Sequence, residues 1–259
     1  MLTRILAEEL AAGRHDLQAL AHRWVARHQS DPHDIDPETG AALAHIARHD
    51  APPSQAAGQG SDALVRALPV ALATHDTPRT LVSASYHIAA LTHPDPVVAW
   101  AAVVVNVALS RFLQGKRDFV PDVIEALRNN AVPEELLAAV RRVPLPARVV
   151  PPEGVSRPGL ALTDAEAALR LAYHEPVLER GLRVIAAPGP VAAGRAGLAG
   201  ALLGARDGVR AIPDGWTARD DGNILGALAV RLVRVDSGAS AQDDLHARHD
   251  AHSVRRPRA

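Results

Sequence analysis

Apolar residues recur at helical spacing from the start of the chain. Leu2, Ile5, Leu6 and Leu10 share one helix face, and Gly13 is placed to end that helix. Leu17, Leu20, Ala21, Trp24 and Val25 repeat the pattern behind Asp16, a residue type suited to an N-cap. Asp36-Pro37-Glu38 reads as cap, first-turn proline and first-turn acid, opening a helix that carries Ala42, Leu43 and Ile46. Residues 51–60 bring prolines and glycines that interrupt the periodicity. Helical spacing resumes from Ala63 to Ala73, and again from Thr77-Pro78 to His93-Pro94. Pro96 then opens a segment, Val97 to Leu109, that is apolar on every side apart from Asn106. A helix apolar all round belongs at the centre of a fold.

The second half continues in helices. Pro121 to Asn130 and Pro133 to Val143 have ordinary amphipathic spacing. Residues 144–159 are proline-rich and non-periodic, either a linker or a long loop over one domain. Thr163-Asp164-Ala165-Glu166 has the form of a capping box for a helix reaching Tyr173. Val177 to Ala187 follows, with a break expected at Gly181, then an Ala/Gly/Leu-rich helix from Val191 to Arg206 and a last periodic stretch from Ile224 to Val233. No fixed-period repeat is visible, which leaves a solenoid as the weaker architecture. The pattern predicts an all-α, single multi-helix domain over residues 1–235, followed by a polar, disordered tail over 236–259.

Composition sharpens this picture. A chain of 259 residues can bury a sizeable core as one domain, and its abundant alanine favours helix. There is no cysteine, which excludes disulfides, thiolate metal sites and cysteine nucleophiles. A net charge of -1 and 3% aromatic residues argue against nucleic acid as a partner. Glu8 and Glu9 fall where a signal peptide needs an apolar run. Val97 to Leu109 is shorter than the roughly 18–20 residues that span a bilayer. The expectation is a cytoplasmic protein with no membrane partner.

Four segments carry candidate chemistry. In Gly58-Gln59-Gly60-Ser61-Asp62, the glycines let a backbone approach a ligand closely; the plainer reading makes Ser61 or Asp62 a helix cap. His93, in Thr92-His93-Pro94-Asp95-Pro96, sits between two apolar helices and is expected to be partly buried; the plainer reading has it bonding a helix-end carbonyl. The acidic stretch Asp31-Pro32-His33-Asp34-Ile35-Asp36 is dense in oxygen ligands but lacks an EF-hand's spacing. The tail holds Asp243, Asp244, His246, His249, Asp250 and His252 without apolar anchors to preorganise them. No Ser-His-Asp signature, P-loop or HExxH motif is present.

Several of these segments, taken in order, resemble the ADP-ribosylglycohydrolase family. Gly60-Ser61-Asp62-Ala63-Leu64-Val65-Arg66-Ala67-Leu68-Pro69 is similar to the family's Gly-Asn-Gly-Ala-Leu-Met-Arg run and the Ala-Pro that follows. Leu91-Thr92-His93-Pro94-Asp95-Pro96 is similar to its Thr-His segment. Asp34-Ile35-Asp36-Pro37-Glu38-Thr39 resembles the stretch before its third matching helix. Leu198-Ala199-Gly200-Ala201-Leu202-Leu203-Gly204-Ala205 and Ala211-Ile212-Pro213-Asp214-Gly215-Trp216 resemble its closing helices.

The resemblance implies an all-α fold and hydrolysis of the bond joining ADP-ribose to a side chain or small molecule. It implies Gly58, Gly60, Ser61, Asp62 and His93 as substrate-binding residues. In the family, carboxylates hold two magnesium ions that position water and stabilise charge at the anomeric carbon. Those ligands come from an N-terminal Thr-Asp-Asp-Thr and from a late Gly-Asp-Thr-Asp-Thr run. Here Met1 to Leu6 is similar to the helix just after the first motif. Aligned back from Leu198, the late run falls on Pro190 to Gly194, with Val191 and Ala193 in place of the aspartates and Ala192 and Gly194 in place of the threonines. The family's asparagine and second glycine are Ser61 and Asp62, which sets a carboxylate where a diphosphate would approach.

These departures imply a member with no catalytic residues and no metal cofactor, whose partner is at most ADP-ribose or a related nucleotide. Two alternatives stand beside this pseudoenzyme reading. One is a helical interaction or structural protein without nucleotide binding; the other is an active hydrolase with ligands relocated to Asp31, Asp34 or Asp36.

Overall fold

Asp16, Asp36 and Asp95 each turn a carboxylate back onto free backbone N–H groups, those of Gln18 and Ala19, of Thr39 and of Val97, and so fix where three helices begin. A computed structural model of the chain describes residues 1–55, 58–128, 130–146, 160–186, 192–217 and 224–234. Its helices are α1 (Leu2–Ala11), α2 (Leu17–Ser30), α3 (Pro37–His49), α4 (Asp62–Ala67), α5 (Pro69–Ala73), α6 (Pro78–Ala90) and α7 (Pro96–Leu113). Then come α8 (Val120–Arg128), α9 (Glu134–Arg142), α10 (Ala161–His174), α11 (Leu178–Ile185), α12 (Ala192–Asp207), α13 (Asp214–Thr217) and α14 (residues 224–234). Among the described residues there is no strand, only an isolated antiparallel bridge between Gly60 and Leu160. The all-α expectation is met.

The apolar segment is the centre of the fold. In α7, every residue from Val98 to Ser110 is buried, and α4, α5, α6, α8, α10 and α12 all pack on it. One hydrophobic cluster runs from Leu2 through α7 to Leu232. With its 18 residues α7 is long and apolar enough to cross a membrane by length and composition, but it lies mostly inside the protein. Asn106, the polar interruption, is buried too. Its Nδ2 donates to the Ala67 carbonyl at 3.0 Å and to Ser85 Oγ at 2.9 Å. The Ala67 carbonyl is available because Pro69 breaks the run into α4 and α5, where the Ala71 N–H turns to Leu68 O instead.

Three local expectations are corrected. Residues 63–73 form two short helices rather than one. The capping box does not exist: α10 starts at Ala161, two residues early, and Asp164 lies inside it with its carboxylate facing another part of the chain. Gly181 does not break α11. It lies within the helix, where an added Cβ would sit 3.2 Å from Leu203 and 3.1 Å from Glu175, so the missing side chain lets α11 approach α12. The predicted connection beyond residue 146, the tail at 236–259 and Val191 lie outside the described residues.

Candidate functional site

The site gathers around Arg66. This side chain points from the short α4 into the interior, where the ring of fully buried Trp24 on α2 lies 5.9 Å from its guanidinium carbon. Its Nη1 is 3.5 Å from Asp36 Oδ2, and its Nη2 donates to Thr92 Oγ1 at 2.7 Å. Burial lowers the guanidinium from its usual range, and the nearby Asp36 carboxylate opposes that shift.

His93 stacks onto this arrangement at the turn after α6 and is 1% exposed, more deeply buried than expected. Its Nδ1 faces Thr92 Oγ1 at 3.0 Å and Arg66 Nη2 at 3.4 Å. A guanidinium can only donate, so Nδ1 accepts and Nε2 carries the ring proton. Nε2–H then donates to Glu38 Oε2 at 3.2 Å. Desolvation first, and the Arg66 charge second, hold the imidazole below its usual pKa. The ring nitrogens are taken by Thr92, Arg66 and Glu38 rather than by a helix-end carbonyl.

The glycine loop closes over the same carboxylate. The Gly60 N–H donates to Glu38 Oε2 at 2.9 Å. A Cβ built on Gly58 would overlap the Glu38 carboxylate, and one on Gly60 would fall 2.7 Å from Oε2. Both glycines are therefore needed for close approach, as their pattern implied, but the group approached belongs to the chain itself. The loop is fastened on its far side by the Ala161 N–H, which donates to Gln59 O at 2.8 Å.

Ser61 and Asp62 do not cap α4; no side-chain cap bond is made there. The buried Ser61 hydroxyl donates to Asp164 Oδ2 at 2.8 Å. Asp164 is itself fully buried and pairs with Arg195 of α12 at 2.8 Å. Asp62 reaches solvent, yet its carboxyl is pushed up, first by partial desolvation and then by Asp36, with Glu38 and Asp164 adding to the effect. The structure thus brings Gly58, Gly60, Ser61, Asp62 and His93 together, and joins to them Asp36, Glu38, Arg66, Asp164 and Arg195.

Of the acidic stretch, Asp31 is turned away to Arg27, with 3.0 Å between Nη2 and Oδ2. Asp36 reaches the site, where Asp36, Glu38 and His93 bring one ligand-type atom each within 4.8 Å of one another. The arrangement is poor for a hard cation. Nε2 of His93 holds a proton, Asp36 is engaged by the Thr39 N–H and Arg66, and Glu38 is engaged by two donors.

The late ligand run of the resembled family does not fit two magnesium ions here either. Ala193 and Gly194 have no side-chain oxygen, and a Cβ on Gly194 would overlap Ser61 Oγ. Ser61, Asp164 and Arg195 fill that region with a polar cluster in which Asp164 accepts from the Ser61 hydroxyl and from Arg195 Nε, while Arg195 Nη2 has no hydrogen-bond partner.

Comparison with known proteins agrees with the fold and the resemblance. Residues 1–242 match the model of a family described as ADP-ribosylglycohydrolase. A solved structure described as an ADP-ribosylglycohydrolase-related protein complex superposes with a TM-score of 0.73 at 26% identity, covering 91% of this chain and 80% of that one. No curated protein matches the sequence.

Proposed function

The chain belongs to the ADP-ribosylglycohydrolase family, and from that premise we propose that it is a non-hydrolysing member that binds an ADP-ribose-type ligand at the glycine loop and His93. The observation that carries this reading is the Ser61–Asp164–Arg195 cluster packed against Gly194. Gly194 stands where the resembled family carries a ligand threonine, and the Asp164 carboxylate packed beside it is taken up by the Ser61 hydroxyl and Arg195 Nε. Removing a preorganised electrostatic contact of this kind costs about 10²–10³ in rate. Arg66 and His93, by contrast, remain organised beside the glycine loop, where the Glu38 carboxylate sits in the place an anionic ligand group would take.

The test has two arms. Timed release of free ADP-ribose from a modified protein, with and without magnesium, is expected to stay at the no-enzyme level. Calorimetric titration with ADP-ribose is expected to show binding that does not depend on magnesium. Turnover abolished by chelation would overturn the reading. A second reading, a helical interaction protein without nucleotide binding, draws on Asp62, because Asp36, Glu38 and Asp164 already crowd that carboxylate with like charge. Absence of ADP-ribose binding favours it.

A further inference from the structure

Glu38 stands second in α3, where first-turn acids ordinarily face solvent and the helix dipole. Its carboxylate leaves that role and crosses to the glycine loop. Two donors converge on the same oxygen: the Gly60 N–H at 2.9 Å and the buried His93 Nε2–H at 3.2 Å. Both glycines of the loop are in close contact with it. Behind His93, the Arg66–Thr92 pair holds the ring so that it presents a proton and not a lone pair. Converging N–H groups over a side-chain-free backbone make a seat for an anionic oxygen. The seat is filled by this chain's own carboxylate.

We propose that Glu38 is the specificity-determining residue of the glycine loop, an internal anion that takes the place of a ligand phosphate oxygen and competes with phosphate-bearing ligands, which bind only as it swings away. The proposal rests on the reading above only for the location of the ligand site. Glu38 is 38% exposed along its side chain, so a path to solvent is open to it. Replacing it with alanine empties the seat and leaves the two donors free. Replacing it with glutamine removes the charge but keeps the shape, and an amide oxygen still accepts from Gly60. A device that works by occupancy therefore separates the two variants, whereas simple charge repulsion does not.

The experiment is calorimetric titration of inorganic pyrophosphate, without divalent ions, into the full-length wild type, Glu38→Ala and Glu38→Gln. The Gly60 amide resonance, followed in parallel, reports whether each variant is folded and whether that N–H is engaged. Glu38→Ala is expected to bind pyrophosphate at least about tenfold more tightly than wild type, the scale of a charge-assisted hydrogen bond released to a ligand. Glu38→Gln is expected to gain little, with its Gly60 amide still engaged. Equal affinity of wild type and Glu38→Ala, no binding by any of the three, or an equal gain by both variants would each overturn the proposal. The outcome is separable from that of the functional reading. If Glu38→Ala gains pyrophosphate while neither it nor wild type binds ADP-ribose, the seat is real and the ADP-ribose assignment fails.

Discussion

His93 links the site to pH. Because burial and Arg66 hold its imidazole low in the folded state, the unfolded chain takes up a proton as pH falls through about 6.5 while the folded chain does not. Its contribution to stability is complete above that value and is lost progressively as the pH falls toward the lowered folded value. His93→Gln is expected to flatten the fall in unfolding free energy between pH 7 and pH 5, measured by urea titration across that range. An unchanged slope would place the titrating group elsewhere. The residues of this site were unevenly legible. Gly58, Gly60 and His93 announce themselves, because two glycines beside a helix start and a histidine between apolar helices are unusual. Glu38 and Asp164 carried the wrong signal: the first looked like an ordinary first-turn acid and the second like part of a capping box. Their partners lie 55 and 103 residues away, and no local pattern reports a contact at that separation.

Helices were the most legible level, since periodicity depends on neighbours three and four residues apart. What periodicity did not show was where backbone constraints interrupt or permit an element. Pro69 divides α4 from α5 because it has no N–H to give, while Gly181 is tolerated because the approach of α12 needs the space. The centre of the fold follows from the composition of α7, and a charge there has no partner. Val104→Asp is expected to destabilise by about 3–5 kcal/mol, a loss readable as a fall in denaturant midpoint. The α4–α12 contact offers a subtler test. Gly194→Thr alone is expected to cost about 1–3 kcal/mol, because its Cβ runs into the Ser61 hydroxyl. Combining it with Ser61→Gly relieves that overlap, so the double-mutant cycle should show a favourable coupling. Strict additivity would mean that the two positions do not touch.

Arg66 sets the geometry of the N-terminal half as a whole. From α4 it reaches the ring on α2, the cap of α3 and the turn after α6. Arg66→Met keeps the bulk but leaves Asp36 without its buried countercharge and Thr92 without its donor. A loss of about 3–5 kcal/mol is expected, with faster amide exchange at both Asp36 and His93 as the local signature. Faster exchange at only one of them would show that the two contacts are independent.

The bridge from Gly60 to Leu160, with the Ser61–Asp164 bond beside it, has a consequence in time. Helices such as α2 and α6 pack mainly on elements close in sequence and can form while much of the chain is still open. The glycine loop needs a partner 103 residues downstream, and closing so large a loop carries an entropic cost that local contacts do not meet. Substitutions at Ser61 and Asp164 should therefore speed unfolding and leave the refolding rate almost untouched, with φ-values near zero. A chain still emerging from the ribosome would have its first helices long before its glycine loop was fastened on both sides.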